Sequence, residues 1–330
     1  MTKYKLNLIL LLFAILMLSC VPNVEAVWKG SPALGAKRAV PIYFDRLGYC
    51  VGSGFLYQPR IVFTAAHSVF EGDDRKVAHT ASILRKKMWV GFPGQTVSER
   101  ANRIESTVFY YPTDYASRDF WLGGKRFTRN NDFAVLVLNE PLPVDEKKVE
   151  LLTPEIHSKF INSEETVSLI GYGAQKAADV ESCANYLEPS RYESIVISQK
   201  IDTGTLEWTA PLNFKTKVRA PSFCNGDSGA GFFKEYSDRY LYFSAAGAGG
   251  YNAHNCETNL VDIEKEAIMG TWPVYLYLDL IRQAEEYVKA NPYVAPNTKK
   301  AIICVKGKKK KQIVGANPSC PNGFKSRNKL

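Results

Sequence analysis

The chain has 330 residues, of which 45% are hydrophobic, 12% aromatic and 23% charged. That is enough apolar material for a sizeable core, and it excludes a disordered or fibrous chain. The net charge of +9 would suggest a nucleic-acid binder if it were spread over the molecule, but ten Lys or Arg and no Asp or Glu fall within residues 297–330, so the body is close to neutral.

In chain order, the first element is an export signal. Lys3 and Lys5 precede an almost unbroken apolar run over residues 6–19, too short to span a bilayer comfortably. Two exits remain open. Val24-Glu25-Ala26 offers a small-x-small cleavage site that would release a soluble chain beginning at Val27, whereas Met17-Leu18-Ser19-Cys20 offers an imperfect lipobox that would leave a lipid-anchored Cys20. Both place the body outside the cytoplasm.

Short β-branched or aromatic runs broken by Gly, Pro, Asn and Asp follow, and predict strands over 40–44, 54–57, 61–64, 87–91, 133–138, 167–172, 195–200, 206–210, 230–233 and 240–246. About ten such strands argue for an all-β barrel or sandwich. A helix is predicted over 274–290, with Leu276, Leu280, Ala284 and Tyr287 at helical spacing and Asn291-Pro292 ending it. Residues 297–330 form a separate basic module, in which Cys304 and Cys320 are expected to form a staple in the oxidising exterior. The histidines 67, 79, 157 and 254 are too far apart to suggest a metal site, and neither metal nor cofactor is expected.

Three segments carry chemistry. Thr64-Ala65-Ala66-His67 delivers a histidine directly after a strand, where small residues let the imidazole lie against the backbone. Asn131-Asp132-Phe133 sets an aspartate at the mouth of an apolar strand. Cys224-Asn225-Gly226-Asp227-Ser228-Gly229-Ala230-Gly231 sets a serine in a turn whose glycines permit tight bends that can aim two N–H groups at one point. Singly, each is ordinary: a structural histidine, a turn aspartate, a hairpin.

Together, in the order His, Asp, Ser and with Thr-Ala-Ala-His and Gly-Asp-Ser-Gly both intact, they resemble the chymotrypsin/trypsin family of serine peptidases over about residues 27–290. The resemblance implies two six-stranded antiparallel β-barrels with a C-terminal helix, and cleavage of peptide bonds through an acyl-enzyme. It makes His67 the general base, Asp132 its orienting carboxylate and Ser228 the nucleophile, with Gly226 and Ser228 supplying the oxyanion amides. Gly171-Tyr172-Gly173 is similar to the family's Gly-Trp-Gly, and residues 270–275 resemble the strand leading into its last helix. Cys224 and Cys256 match the disulfide that ties the serine loop to the opposite pocket wall.

The departures bear on specificity and on the disulfides. Ser68 stands where the family has a Cys, so Cys50 loses its usual partner and a non-standard bridge to Cys183 is expected. Residues 110–129 form an insertion, and Ala230 replaces a Gly. Ser222 occupies the expected pocket floor, beside Phe223 and with Ala248 and Gly249 on the wall, so substrates with Arg or Lys at the cleaved position would lack a carboxylate partner. Val27 is similar to the family's mature start, whose ammonium would pair with Asp227. The expected organisation is a signal at 1–26, a peptidase domain at 27–296 and a basic tail at 297–330. Partners would be protein or peptide substrates and, through the tail, an anionic surface polymer or lipid. Nucleic acid is not expected, because no aromatics interleave Lys306 and Lys308 to Lys311. The alternative is an inactive homologue serving as an extracellular binding module.

Overall fold

A computed structural model of the chain describes residues 30–44, 51–71, 83–99, 101–113, 115, 120–122, 125–127, 131–161, 163, 165–173, 189–197, 206–207, 212–217, 223–224, 226–247, 250–251, 268–295, 300–306, 309–315, 320–321 and 324–327. The signal region, Cys20, Val27, Cys50, Cys183, Ser222, Ala248, Gly249 and Cys256 lie outside the described residues. The chain divides into two compact units, Met1–Ala290 and Asn291–Leu330. Among the described residues no helix is long and apolar enough to cross a membrane.

Six antiparallel strands close the first barrel: β1 (Ala39–Tyr43), β2 (Val51–Gln58), β3 (Ile61–Thr64), β4 (Met88–Gly91), β5 (Arg103–Tyr110) and β6 (Ala134–Leu138), in the order β6-β3-β2-β1-β4-β5. Successive side chains on a strand point to opposite faces, and β6 shows what that demands of a strand covered on both sides. Ala134, Leu136 and Leu138 fill the barrel with Val40, Ile42, Leu56, Val62 and Val90. Val135 and Val137 turn the other way and join Phe55 and Phe63 against the second barrel. An unbroken Ala-Val-Leu-Val-Leu run is the sequence form of such a strand.

The second barrel is built on a sheet of β7 (Lys148–Leu151), β8 (Thr166–Gly171), β9 (Ser190–Ile197), β10 (Leu212–Lys215), β11 (Gly231–Glu235), β12 (Arg239–Ala245), β13 (Gly250–Tyr251) and β14 (Ile268–Thr271), in the order β7-β12-β11-β8-β9-β10-β14-β13. Its curl brings β14 back toward β12, where the Thr271 hydroxyl donates to the Ala245 carbonyl at 2.7 Å. The short strand Ser31–Pro32 pairs with β9. Aromatic rings form the seam between barrels: Tyr242 lies 4.7 Å from Phe55 and 5.0 Å from Phe63, centroid to centroid.

Strands β5, β7 and β10 and a short helix α1 (Pro154–Phe160), capped by the Thr153 hydroxyl, were not among the predicted elements. The predicted helix over 274–290 begins with a 3₁₀ turn, Val274–Tyr277, before α2 (Leu278–Ala290). A 3₁₀ turn advances each residue further around the axis than an α-helix does, and the apolar stripe rotates accordingly. Tyr277, Ile281 and Ala284 are buried, while Leu276, expected on the core face, is exposed. Helix α2 packs on β5 and β6.

The second unit is a three-stranded antiparallel sheet of β15 (Lys300–Lys306), β16 (Lys309–Gly315) and β17 (Lys325–Arg327), with β15 central. The expected Cys304–Cys320 disulfide is present, and Cys304 is fully buried.

Candidate active site

His67 sits in the 3₁₀ turn Ala66–Val69 that ends β3. Ala65 and Ala66 are fully buried and leave room for the Asp132 carboxylate, which takes two bonds from His67: the backbone N–H donates to Oδ1 at 2.9 Å and ring Nδ1 lies 2.8 Å from Oδ2. A carboxylate accepts only, so Nδ1 carries the hydrogen, and in the neutral ring Nε2 is left with its lone pair. The Asp132 side chain is fully buried, while that of His67 retains 16% exposure, so the acid is dry and the imidazole reachable.

Two features hold Asp132. Asn131, just before it, adopts φ +54°, a left-handed conformation that asparagine tolerates, and its side-chain oxygen accepts from the Tyr277 hydroxyl at 3.3 Å. Tyr277 also stacks on Phe133, centroids 4.6 Å apart, so the first turn before α2 braces the start of β6. On the other side is Gly247, where a Cβ would stand 2.6 Å from Asp132 Oδ2 and 3.1 Å from Ala65 Cβ.

The serine turn is locked to both barrels. Gly226 and Gly229 have φ of +92° and +87°, which only glycine adopts without strain. The Gly229 N–H donates to Ala246 O at 2.6 Å, and a Cβ there would collide with the Thr64 hydroxyl and the Ser53 carbonyl. Ser53, on β2, is the hub. Its N–H donates to Ser228 O at 2.8 Å, its hydroxyl donates to Gly226 O at 2.8 Å and accepts from Tyr172 N–H at 2.8 Å, and its carbonyl accepts from the Thr64 hydroxyl at 2.9 Å. Ser228 is thereby brought against the end of β3, whose next turn bears His67. Among the described residues no hydrogen bond joins the Ser228 hydroxyl to His67, and no acceptor takes the N–H of Gly226 or of Ser228. The amides of Asp227, Gly229 and Ala230 are engaged.

Asp227 points away from this turn into the second barrel, where Gly173 N–H and Cys224 N–H each donate to its carboxylate at 2.8 Å. It is 1% exposed, and burial pushes its carboxyl up to about 7 against the opposing pull of those two donors. A Cβ on Gly171 or Gly173 would strike this carboxylate, which explains the two glycines flanking Tyr172. Phe223 is buried behind the turn. Cys224 is disulfide-bonded.

The structure brings the predicted His67 and Asp132 together and places the serine turn against Ser53; the sequence did not single out Ser53, Thr64 as a support, or Gly247. These three act through approaches between residues far apart in the chain, and no local motif marks them. The Trypsin family model matches residues 30–255. No curated protein matches the chain. The match spans more than half of the chain, and with a closed six-stranded barrel joined to a second curved sheet and a C-terminal helix the chain belongs to the trypsin family and carries a serine peptidase domain, whose substrates are proteins or peptides.

Proposed function

We propose that the chain is a secreted serine endopeptidase in which Ser228, His67 and Asp132 act as one catalytic unit. The observation that carries this reading is the buried Asp132 carboxylate bonded twice to His67, beside a serine turn with two unengaged amides. A serine hydroxyl is a weak nucleophile near neutral pH and needs an adjacent base. Ser228 Oγ attacks the scissile carbonyl carbon while His67 Nε2 takes its proton, and Asp132 stabilises the imidazolium. The Gly226 and Ser228 N–H groups hold the oxyanion. As the tetrahedral intermediate collapses the C–N bond breaks, His67 hands its proton to the leaving amine, and an acyl group remains on Ser228. Water, deprotonated by His67, then releases the acid. Reaction with a fluorophosphonate probe tests the assignment: label on wild type and none on Ser228→Ala supports it, and equal labelling of both refutes it.

Specificity follows from Ser222 at the pocket floor, with Phe223, Ala248 and Gly249 around it. With no carboxylate there, a buried Arg or Lys of the substrate would be desolvated without a partner. Small or apolar side chains fit instead. Peptide-library profiling should show little cleavage after Arg or Lys, and a dominant Arg preference would overturn this placement of the pocket.

Activation is assigned to the Val27 ammonium and Asp227. A buried carboxyl held at about 7 is only partly ionised near neutrality, and an ammonium beside it would keep it charged and order the turn. Cleavage after Ala26 would then export and activate the enzyme in one step. Asp227→Asn should lower activity although Asp227 touches no substrate. N-terminal sequencing of the active protein should read Val27, and a lipidated Cys20 on fully active enzyme would sink the proposal. The basic tail is assigned to an anionic surface, polymer or lipid.

A further inference from the structure

The second unit narrows that last assignment. In β15 and β16 the register sets Lys306 directly opposite Lys309, Val305 opposite Lys310 and Cys304 opposite Lys311. All four lysines are exposed. Cross-strand partners share a face, as do residues two apart on a strand, so Lys306, Lys309 and Lys311 crowd one face at the end of the sheet, while Lys310 turns to the other with Val305. The Cβ atoms of a directly opposed pair lie about 5 Å apart, and Lys309 and Lys311 are separated by about 7 Å along the strand. Like charges directly opposite one another destabilise a sheet, and residues 297–330 supply no Asp or Glu to offset them. The disulfide ties Cys304, two residues from Lys306, to Cys320 in the segment between β16 and β17.

A fixed row of ammonium groups with no internal counter-charge is complementary to a row of fixed anions. We propose that the lysine end of this sheet docks a linear anionic polysaccharide, whose successive carboxylate or sulfate groups bridge Lys306, Lys309 and Lys311. The assignment rests on the reading of the tail as an anion-seeking module and is independent of the peptidase chemistry. Bilayer binding by a polybasic segment is held by an apolar anchor beside the charges, and the one large apolar side chain at this end of the sheet, Phe324 just before β17, is half-buried, a small anchor for that purpose. Single-stranded nucleic acid would need aromatic platforms for its bases, and Phe324 is the one aromatic residue of 297–330.

The test is equilibrium binding of the whole chain to heparin, to phosphatidylserine–phosphatidylcholine vesicles and to poly(dT), comparing wild type with the triple variant Lys306→Gln, Lys309→Gln, Lys311→Gln. Heparin should bind tightest, in a salt-sensitive manner. The triple variant should lose at least about tenfold in heparin affinity and reduce the slope of log affinity against log salt by about 2 to 3, one counterion per lysine removed. Its turnover of small peptides should be unchanged. Its thermal stability should hold or rise, because the opposed pair no longer repels, which separates a binding role from a structural one. Unchanged heparin affinity in the variant, or affinity lost together with the fold, overturns the site. Tighter binding of vesicles or poly(dT) than of heparin overturns the choice of polysaccharide while leaving the tail's attraction to anions standing, and no binding of any probe by wild type overturns that attraction itself.

Discussion

Replacing Ser228 with Ala, or His67 with Ala, is expected to lower kcat by about 10⁶-fold, and the double variant is expected to be no slower than either single one. The reason lies in the division of labour. Without the imidazole the hydroxyl keeps its proton, and without the hydroxyl the imidazole has nothing to activate, so each deletion removes the same event. What survives is binding and whatever stabilisation the Gly226 and Ser228 amides give to a water-attacked intermediate. Peptide turnover by the purified single and double variants measures it. Losses that multiply in the double variant would mean that the two groups act separately, and turnover in Ser228→Ala equal to wild type would end the peptidase reading.

Gly247→Ala is expected to lower kcat by about 10²-fold or more, through the Asp132 carboxylate. The φ of Gly247 is not in the left-handed region, so alanine suits its backbone, and the whole effect comes from the added methyl. That methyl would arrive 2.6 Å from Asp132 Oδ2, the oxygen that holds His67 Nδ1, with Ala65 closing the other side at 3.1 Å. The carboxylate has to yield, and the imidazole loses the partner that fixes its tautomer and orientation. Circular dichroism should show a folded protein and KM should change less than kcat. A variant with wild-type kcat would mean that the carboxylate relaxes freely, and would remove Gly247 from the support of the site.

How much of this was legible beforehand depended on whether the information was local. The strand over 61–64 was read to the residue because Ile-Val-Phe-Thr is apolar, β-branched and followed by small residues. Strand β5 was missed because Arg-Ile-Glu-Ser-Thr-Val-Phe-Tyr lies half-exposed at the barrel surface and has no clean alternation to detect. Helix α1, at seven residues, is too short to declare a 3.6-residue period. The basic module was recognised by its charge, yet its strands were not, since lysines occupy positions where a sheet ordinarily shows β-branched residues. Within the site, His67 and the glycines of the serine turn announce themselves through motifs. Ser53, 119 residues from Tyr172 and further still from Ser228, becomes meaningful only when the barrels meet, because its value is an approach in space that neighbouring residues do not encode.

The hub at Ser53 has a consequence for the life of the nascent chain. Its hydroxyl and backbone contact Thr64 on the amino-terminal side and Tyr172, Gly226 and Ser228 on the carboxy-terminal side. A polypeptide emerging from the ribosome can complete the first barrel, with His67 and Asp132 already paired, long before residue 228 exists. The seat for the serine turn is then built but vacant, and the turn, which the second barrel shapes through Gly173, Cys224 and Ala246, reaches it only when the two barrels meet. No hydrolytic power would therefore exist before the barrels dock, whatever the amino terminus has undergone by then. Partly made or misfolded copies would pose no threat to the cell that synthesises them.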